Sequence, residues 1–193
     1  MKNYMFLFVG LIGILFGSCE KIKEATEIDI ETELTTDIPV SAQNTVAIIL
    51  KSENLAKDVF SFGGDATFSL ADNNDLEEYI NNIRNITSEA GGVVSFLGAV
   101  DGNKILTCML KYGIQTSPDI EPAMITAFDI SEELLANNGL IEYYSDLWTS
   151  ILIQEIEANK DKVFLLELAG TSNYDIETTV KIKMPVTVSA SPL

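Results

Sequence analysis

The 193-residue chain has no histidine and a single arginine. The first absence removes the commonest general base and the commonest metal ligand, and with them Ser-His-Asp and Cys-His catalysis and histidine-zinc sites. The second, set against 29 Asp+Glu, 12 Lys+Arg and a formal charge of −17, argues against nucleic acid, whose phosphates are gripped mostly by basic side chains. Proline is scarce at 5 residues and cysteine scarcer at 2. With 47% hydrophobic residues, a chain of this length can bury a core, and it reads as one globular domain rather than as a disordered or fibrous polymer.

What is present is most informative at the N-terminus. Lys2 precedes an apolar run from Tyr4 to Phe16, and Gly17-Ser18-Cys19 follows. A short positive region, an apolar stretch too short to span a bilayer as an ordinary helix, and small residues before a break are the parts of an export signal. An uncleaved anchor, or an ordinary signal with an incidental cysteine, is the blander alternative. Phe16-Gly17-Ser18-Cys19 resembles a bacterial lipobox, although Leu more often stands where Phe16 does. The resemblance implies a diacylglycerol on the Cys19 thiol and cleavage before it, as in the small exported lipoproteins of Gram-negative bacteria, many of which have no assigned activity. It implies a lipid-anchored place in the cell envelope, at the outer membrane, on its periplasmic or its surface face. It covers the first 21 residues and names no binding residue.

Removing residues 1–18 takes away one lysine, Lys2, and no acid, so the mature chain is one unit more negative than −17. Such a surface should not bind an anionic leaflet on its own, and the lipid must do the anchoring. Each buried CH₂ of an acyl chain contributes about 0.8 kcal/mol, so two or three long chains hold stably. The tether is residues 19–26, and the seven residues Glu20 to Thr26 reach at most about 25 Å. Lipid on Cys19 leaves Cys108 alone, so no intramolecular disulfide forms. Its apolar strand-like setting predicts a buried, inert thiol.

From Glu27 to Val40, Ile28, Ile30, Leu34, Ile38 and Val40 take even positions while Asp29, Glu31, Glu33 and Asp37 take odd ones. Ile176 to Val188 alternates in the same way. Period-2 alternation predicts a strand with one face to a core. Asp29-Ile30-Glu31-Thr32 and Asp175-Ile176-Glu177-Thr178 stand in the same register to Pro39-Val40 and Pro185-Val186. The intervening elements do not repeat, so convergent patterning explains this better than duplication. Proline in a strand belongs at an edge or bulge, which predicts two terminal strands side by side at the edge of a sandwich. Asn44–Leu50, Val59–Leu70 with a bulge or turn at Gly63-Gly64, Gly92–Val100, Lys104–Tyr112, Ala123–Ile130 and Lys162–Ala169 complete about eight strands. Asp101-Gly102 predicts a hairpin between the third and fourth of these.

Two segments have helical spacing. Asn73-Asn74-Asp75 offers caps before Leu76, Tyr79, Ile80, Ile83 and Ile86. Leu140, Tyr144, Leu147, Trp148, Ile151, Leu152 and Ile156 form a second stripe, preceded by a short turn of helix over 131–138 capped by Gly139. The whole predicts a single mainly β domain over 27–193, an immunoglobulin-like β-sandwich with amphipathic helical insertions near 74–90 and 140–159; α+β is the alternative.

Candidate sites are few. Asp72, Asn74, Asp75, Glu77 and Glu78 cluster, but the spacing lacks the glycine and the bidentate glutamate of an EF-hand, and acids opening a helix are what capping favours. Tyr143 and Trp148 are candidate contacts for a sugar ring, with Tyr143 read as the exposed one of Tyr143 and Tyr144. Paired carboxylates catalyse without histidine, but these acids follow the polar phase of strands and helices. The sequence thus predicts no catalytic residue, no metal and no cofactor, and lipidation at Cys19. It points to a non-catalytic envelope lipoprotein that binds a protein or glycan partner and no nucleic acid. The alternative is a structural envelope component, or a carrier with an apolar pocket under Tyr79, Ile83, Leu147 and Ile151.

Overall fold

The computed structural model describes residues 27–42, 59–88, 90–117 and 119–192. The export signal, Cys19 with its tether, and the strand expected over 44–50 lie outside the described residues. The remainder is mainly β. Ten strands join one antiparallel sheet: β1 (Ile28–Ala42), β2 (Phe60–Phe68), β3 (Ile83–Ser88), β4 (Gly92–Leu97), β5 (Lys104–Gln115), β6 (Ile125–Ile130), β7 (Leu134–Leu135), β8 (Leu140–Ser145), β9 (Val163–Ser172) and β10 (Glu177–Ala190). Among the described residues there is one α-helix, α1 (Asp146–Ala158), between β8 and β9.

The order along the sheet is β6-β5-β9-β2-β1-β10-β4-β8, with β3 on β10 and β7 on β5. The sheet curls on itself. Phe62 of β2 and Phe96 of β4 meet edge to face at 5.8 Å, and Phe128 of β6 meets Tyr143 of β8 at 5.1 Å, although β6 and β8 are opposite ends of the order. Burial of the inward phase of every long strand fills the space between.

The terminal strands pair as their matching patterns predict, from Ile28↔Ala190 to Ser41↔Glu177. They are central, however, and not at an edge. Both prolines are accommodated at gaps in pairing. Pro185 falls between Lys183, the last partner of β4, and Val186, the first partner of β3. Pro39 faces the side where β2 pairs β1 only at Ser41 and Ala42. A missing N–H costs little where no ladder bond would form. Gly63 and Gly64 are not a turn: both pair within β2, and a Cβ on Gly64 would stand 2.0 Å from the Pro39 carbonyl oxygen. Glycine there lets two backbones cross at the fold of the sheet.

The helix expected near 74–90 is absent. Ser69 caps a 3-10 turn at Leu70–Asp72, Asn73 Oδ1 accepts from the Asp75 N–H at 2.9 Å, turns follow, and a second 3-10 turn at Ile80–Asn82 leads into β3. Ile83 and Ile86 mimic a helical step because of a bulge: Asn85 pairs Ser189 and Ile83 pairs Ala190, so Arg84 is the extra residue and both isoleucines face inward.

The second helix is shorter than predicted, because 140–145 is strand β8. The segment 131–138 is β7 and a turn. Asn138 and Gly139 have φ of 52° and 85°, and Asn137 and Leu140 exchange backbone hydrogen bonds at 2.8 and 3.2 Å, the geometry of a two-residue Asn-Gly hairpin loop. The Asp101-Gly102 turn forms, closed by the Asn103 N–H on the Val100 oxygen at 2.9 Å. It does not join a hairpin, since β4 pairs β10 and β8 while β5 pairs β6, β7 and β9. Gly98, at φ 76°, turns the chain out of β4 first, and Gly102, at φ 93°, then redirects it towards β5.

Candidate functional site

Tyr143 and Trp148 are brought together, but facing inward. In a strand, neighbouring side chains alternate, so Tyr143 turns in to Phe128 while Tyr144 turns out, 58% exposed. A helical reading of 140–145 exchanges the two. Trp148 is 1% exposed, 5.7 Å from Phe128, with Gly92 leaving room for its ring. Of this group only Tyr144 presents a face to solvent, and its hydroxyl is held between the Gly91 N–H at 2.9 Å and Asp146 Oδ1 at 3.2 Å. The buried stripe of α1 is Trp148, Thr149, Leu152, Ile153 and Ile156, whereas Leu147 is 74% exposed. Ile151, expected over an apolar pocket with Leu147, is likewise exposed, at 36%.

Two open cavities lie along the seam where β1 and β2 diverge. One, of about 270 Å³, is lined by Glu33, Thr35, Phe68, Ser69 and the run Asp72 to Asp75. Sequence reasoning had the acidic run but not Glu33 or Thr35, which arrive through the curl of the sheet. The Thr32 hydroxyl donates to Asp75 Oδ2 at 2.6 Å, Asn73 Nδ2 donates to the Glu33 oxygen at 3.2 Å, and Lys183 Nζ lies 2.7 Å from Glu33 Oε1. Among the described residues no group of three or more acidic, cysteine or histidine side chains is placed to hold a metal ion.

The other cavity, of about 600 Å³, is lined by Pro39, Ser41, Gly63, Gly64, Asp65 and Glu167 with Leu168 and Ala169. Asp65 and Glu167 are direct cross-strand partners, and Lys111 pairs Glu167 from the other side. Like charges opposite one another are unfavourable in a sheet, and one lysine offsets two acids only in part. The seam is therefore a shallow acceptor-rich groove, suited to hydroxyl or ammonium donors.

Cys108 is buried in β5 as predicted, and its thiol is pushed up to about 12 by burial and by the Asp129 carboxylate. A thiol held in that form is a poor nucleophile.

No family model matches the chain, and no curated protein matches it. Among solved structures, a chain of Desmodium yellow mottle tymovirus is similar at 10% identity and a TM-score of 0.34, covering 86% of this chain and 90% of that one.

Proposed function

We propose that this protein is a non-catalytic cell-envelope lipoprotein, anchored through lipid on Cys19 at the outer membrane, whose β domain binds a protein or glycan partner. The observation that carries the reading is Phe16-Gly17-Ser18-Cys19 behind Lys2 and an apolar run of signal-peptide length. The lack of histidine supports a binding rather than a catalytic role. The acceptor-rich seam between β1 and β2 gives a donor-bearing partner a place to bind. The same reading takes the curled sheet as a sandwich of immunoglobulin-like kind, for which the Phe62–Phe96 and Phe128–Tyr143 contacts between its halves speak.

Metabolic labelling with a lipid probe, in wild type and Cys19→Ala with fractionation, tests the anchor. Label and membrane association should both be lost in the variant; retention of both would sink the reading. Proteinase shaving of intact cells then separates surface from periplasmic display. Pulldown from envelope extracts and glycan arrays should retain a partner that Asp65→Asn and Glu167→Gln release.

A further inference from the structure

The outward side of α1 is unusual for so acidic a chain. Leu147, Ser150, Ile151, Gln154 and Ala158 are all exposed and fall on one 100° stripe with no charge, while Asp146, Glu155 and Glu157 stand at its margins. The inward side is apolar as well, so packing against the domain does not account for Leu147 at 74% exposure or for Ile151 beside it. Two large apolar side chains exposed opposite a buried apolar stripe mark a second surface for the helix to meet.

What meets it is indicated by where the chain enters. The helix has 13 residues, about 20 Å, and runs from Gly92, against which Trp148 packs, to the start of β3, where Lys160 Nζ donates to the Ile83 oxygen at 2.7 Å and the Arg84 oxygen at 3.2 Å. Arg84 in turn lies 3.3 Å from Glu27, next to the first residue of β1. The C-terminal end of α1 therefore sits beside the point at which the seven residues from Glu20 to Thr26 lead back to Cys19. Val163, at the start of β9, is also exposed there. The other exposed apolar residues of the loop end, Leu97, Val100 and Leu135, surround the Asn138-Gly139 turn at the far end of the strands.

We propose that the outward face of α1 lies on the bilayer surface, with Leu147 and Ile151 at the boundary of headgroups and acyl chains. Resting on the lipid anchor at Cys19, this placement fixes the orientation of the domain. The Asp101 and Asn138 turns then point away from the membrane.

The test uses the full chain purified with its native lipid and reconstituted into vesicles of phosphatidylethanolamine and phosphatidylglycerol. Leu147→Cys and Leu135→Cys, both at exposed positions, carry an environment-sensitive fluorophore, and wild type, whose Cys108 is buried, is the blank. Quenching by lipids spin-labelled near the headgroup should be several-fold stronger at position 147 than at 135, with a blue shift at 147 alone. Equal, weak quenching at both positions, in protein whose mass shows the diacylglycerol, overturns the orientation and leaves the anchor standing. A mass without lipid overturns the anchor, and the placement with it.

Discussion

The β1–β10 ladder and the side closed by α1 hold the same core by different means. In the ladder, fourteen consecutive residues of β1 are paired from Ile28 to Ser41. Apolar and polar side chains alternate along both strands, and the inward faces are buried from Leu34 to Val40 and from Val180 to Ala190. On the closed side the two ends of the sheet order, β6 and β8, have no ladder between them. They are joined by side chains instead: Phe128 touches Tyr143 and Trp148, and Trp148 in turn fills the space that Gly92 leaves. Stability in the first region is spread over many equivalent pairs. In the second it is concentrated in one large ring, so a single truncation should be felt there most.

Trp148→Ala is the strongest way to break the contrast. Removing a fully buried tryptophan should cost about 3–5 kcal/mol, seen as a lower denaturant midpoint and as ANS binding once β6 and β8 lose their contact. Trp148→Phe should cost far less than Ala. The indole Nε1 has no hydrogen-bond partner in the protein, so only volume is lost and no bond. A Phe variant as unstable as Ala would show that the indole nitrogen matters and that the account by ring volume is wrong.

Gly64→Ala tests the crossing between the two halves. The new methyl group would overlap backbone, Pro39 O at 2.0 Å, and not the end of a flexible side chain. A cost of about 1–3 kcal/mol should follow, with faster amide exchange at Ser41 and Ala42, the residues of β1 that pair with β2. An unchanged midpoint would mean that the seam can widen freely, as a binding groove could.

Thr36→Val should sharpen the comparison in the opposite direction. Thr36 is 6% exposed on the inward face of β1, and its hydroxyl has no partner. Replacing the hydroxyl by a methyl group removes an unmatched buried polar atom and should raise stability by about 1 kcal/mol. A fall in the midpoint would mean the hydroxyl is satisfied in solution.

The same contrast explains what could be read from the sequence. The ladder was legible because alternation directly encodes which side of a strand is buried, and Leu34, Ile38, Val180 and Ile182 all lie where period 2 puts them. Its position in the sheet was not, because Pro39 and Pro185 signal a missing bond without saying whether an edge or a gap supplies it. Bulges defeated the periodicity elsewhere. Arg84 as an extra residue puts Ile83 and Ile86 on one face at a helical interval. At β8 the strand runs directly into the helix at Ser145, so a stripe drawn through both exchanged Tyr143 for Tyr144 and counted Leu147 as core. Asn138-Gly139 did carry a hairpin signal, masked by reading Gly139 as a helix terminus. The seam between β1 and β2 had no local signal at all, since Glu33 and Asp75, or Ser41 and Asp65, meet only through the curl.

The smallest effect belongs to the outward face of the ladder. Lys183 Nζ lies 2.7 Å from Glu33 Oε1, with both side chains about two-fifths exposed, at 40% and 43%. Exposed pairs of this kind contribute about 0.2–1 kcal/mol and are screened by salt. The local field adds a twist, because β1 carries Asp29, Glu31, Glu33 and Asp37 on that face against Lys181 and Lys183 of β10. Glu33→Gln removes one attraction to Lys183 and several repulsions among neighbouring acids. The two nearly cancel, so it should change the midpoint by less than about 0.5 kcal/mol. Lys183→Gln removes a cation that offsets all of these acids, so it should cost more than Glu33→Gln, and the difference should close in high salt. Equal costs for the two variants at every salt concentration would show that the face behaves as isolated pairs, and that its charge pattern matters for what approaches the sheet rather than for how the sheet holds together.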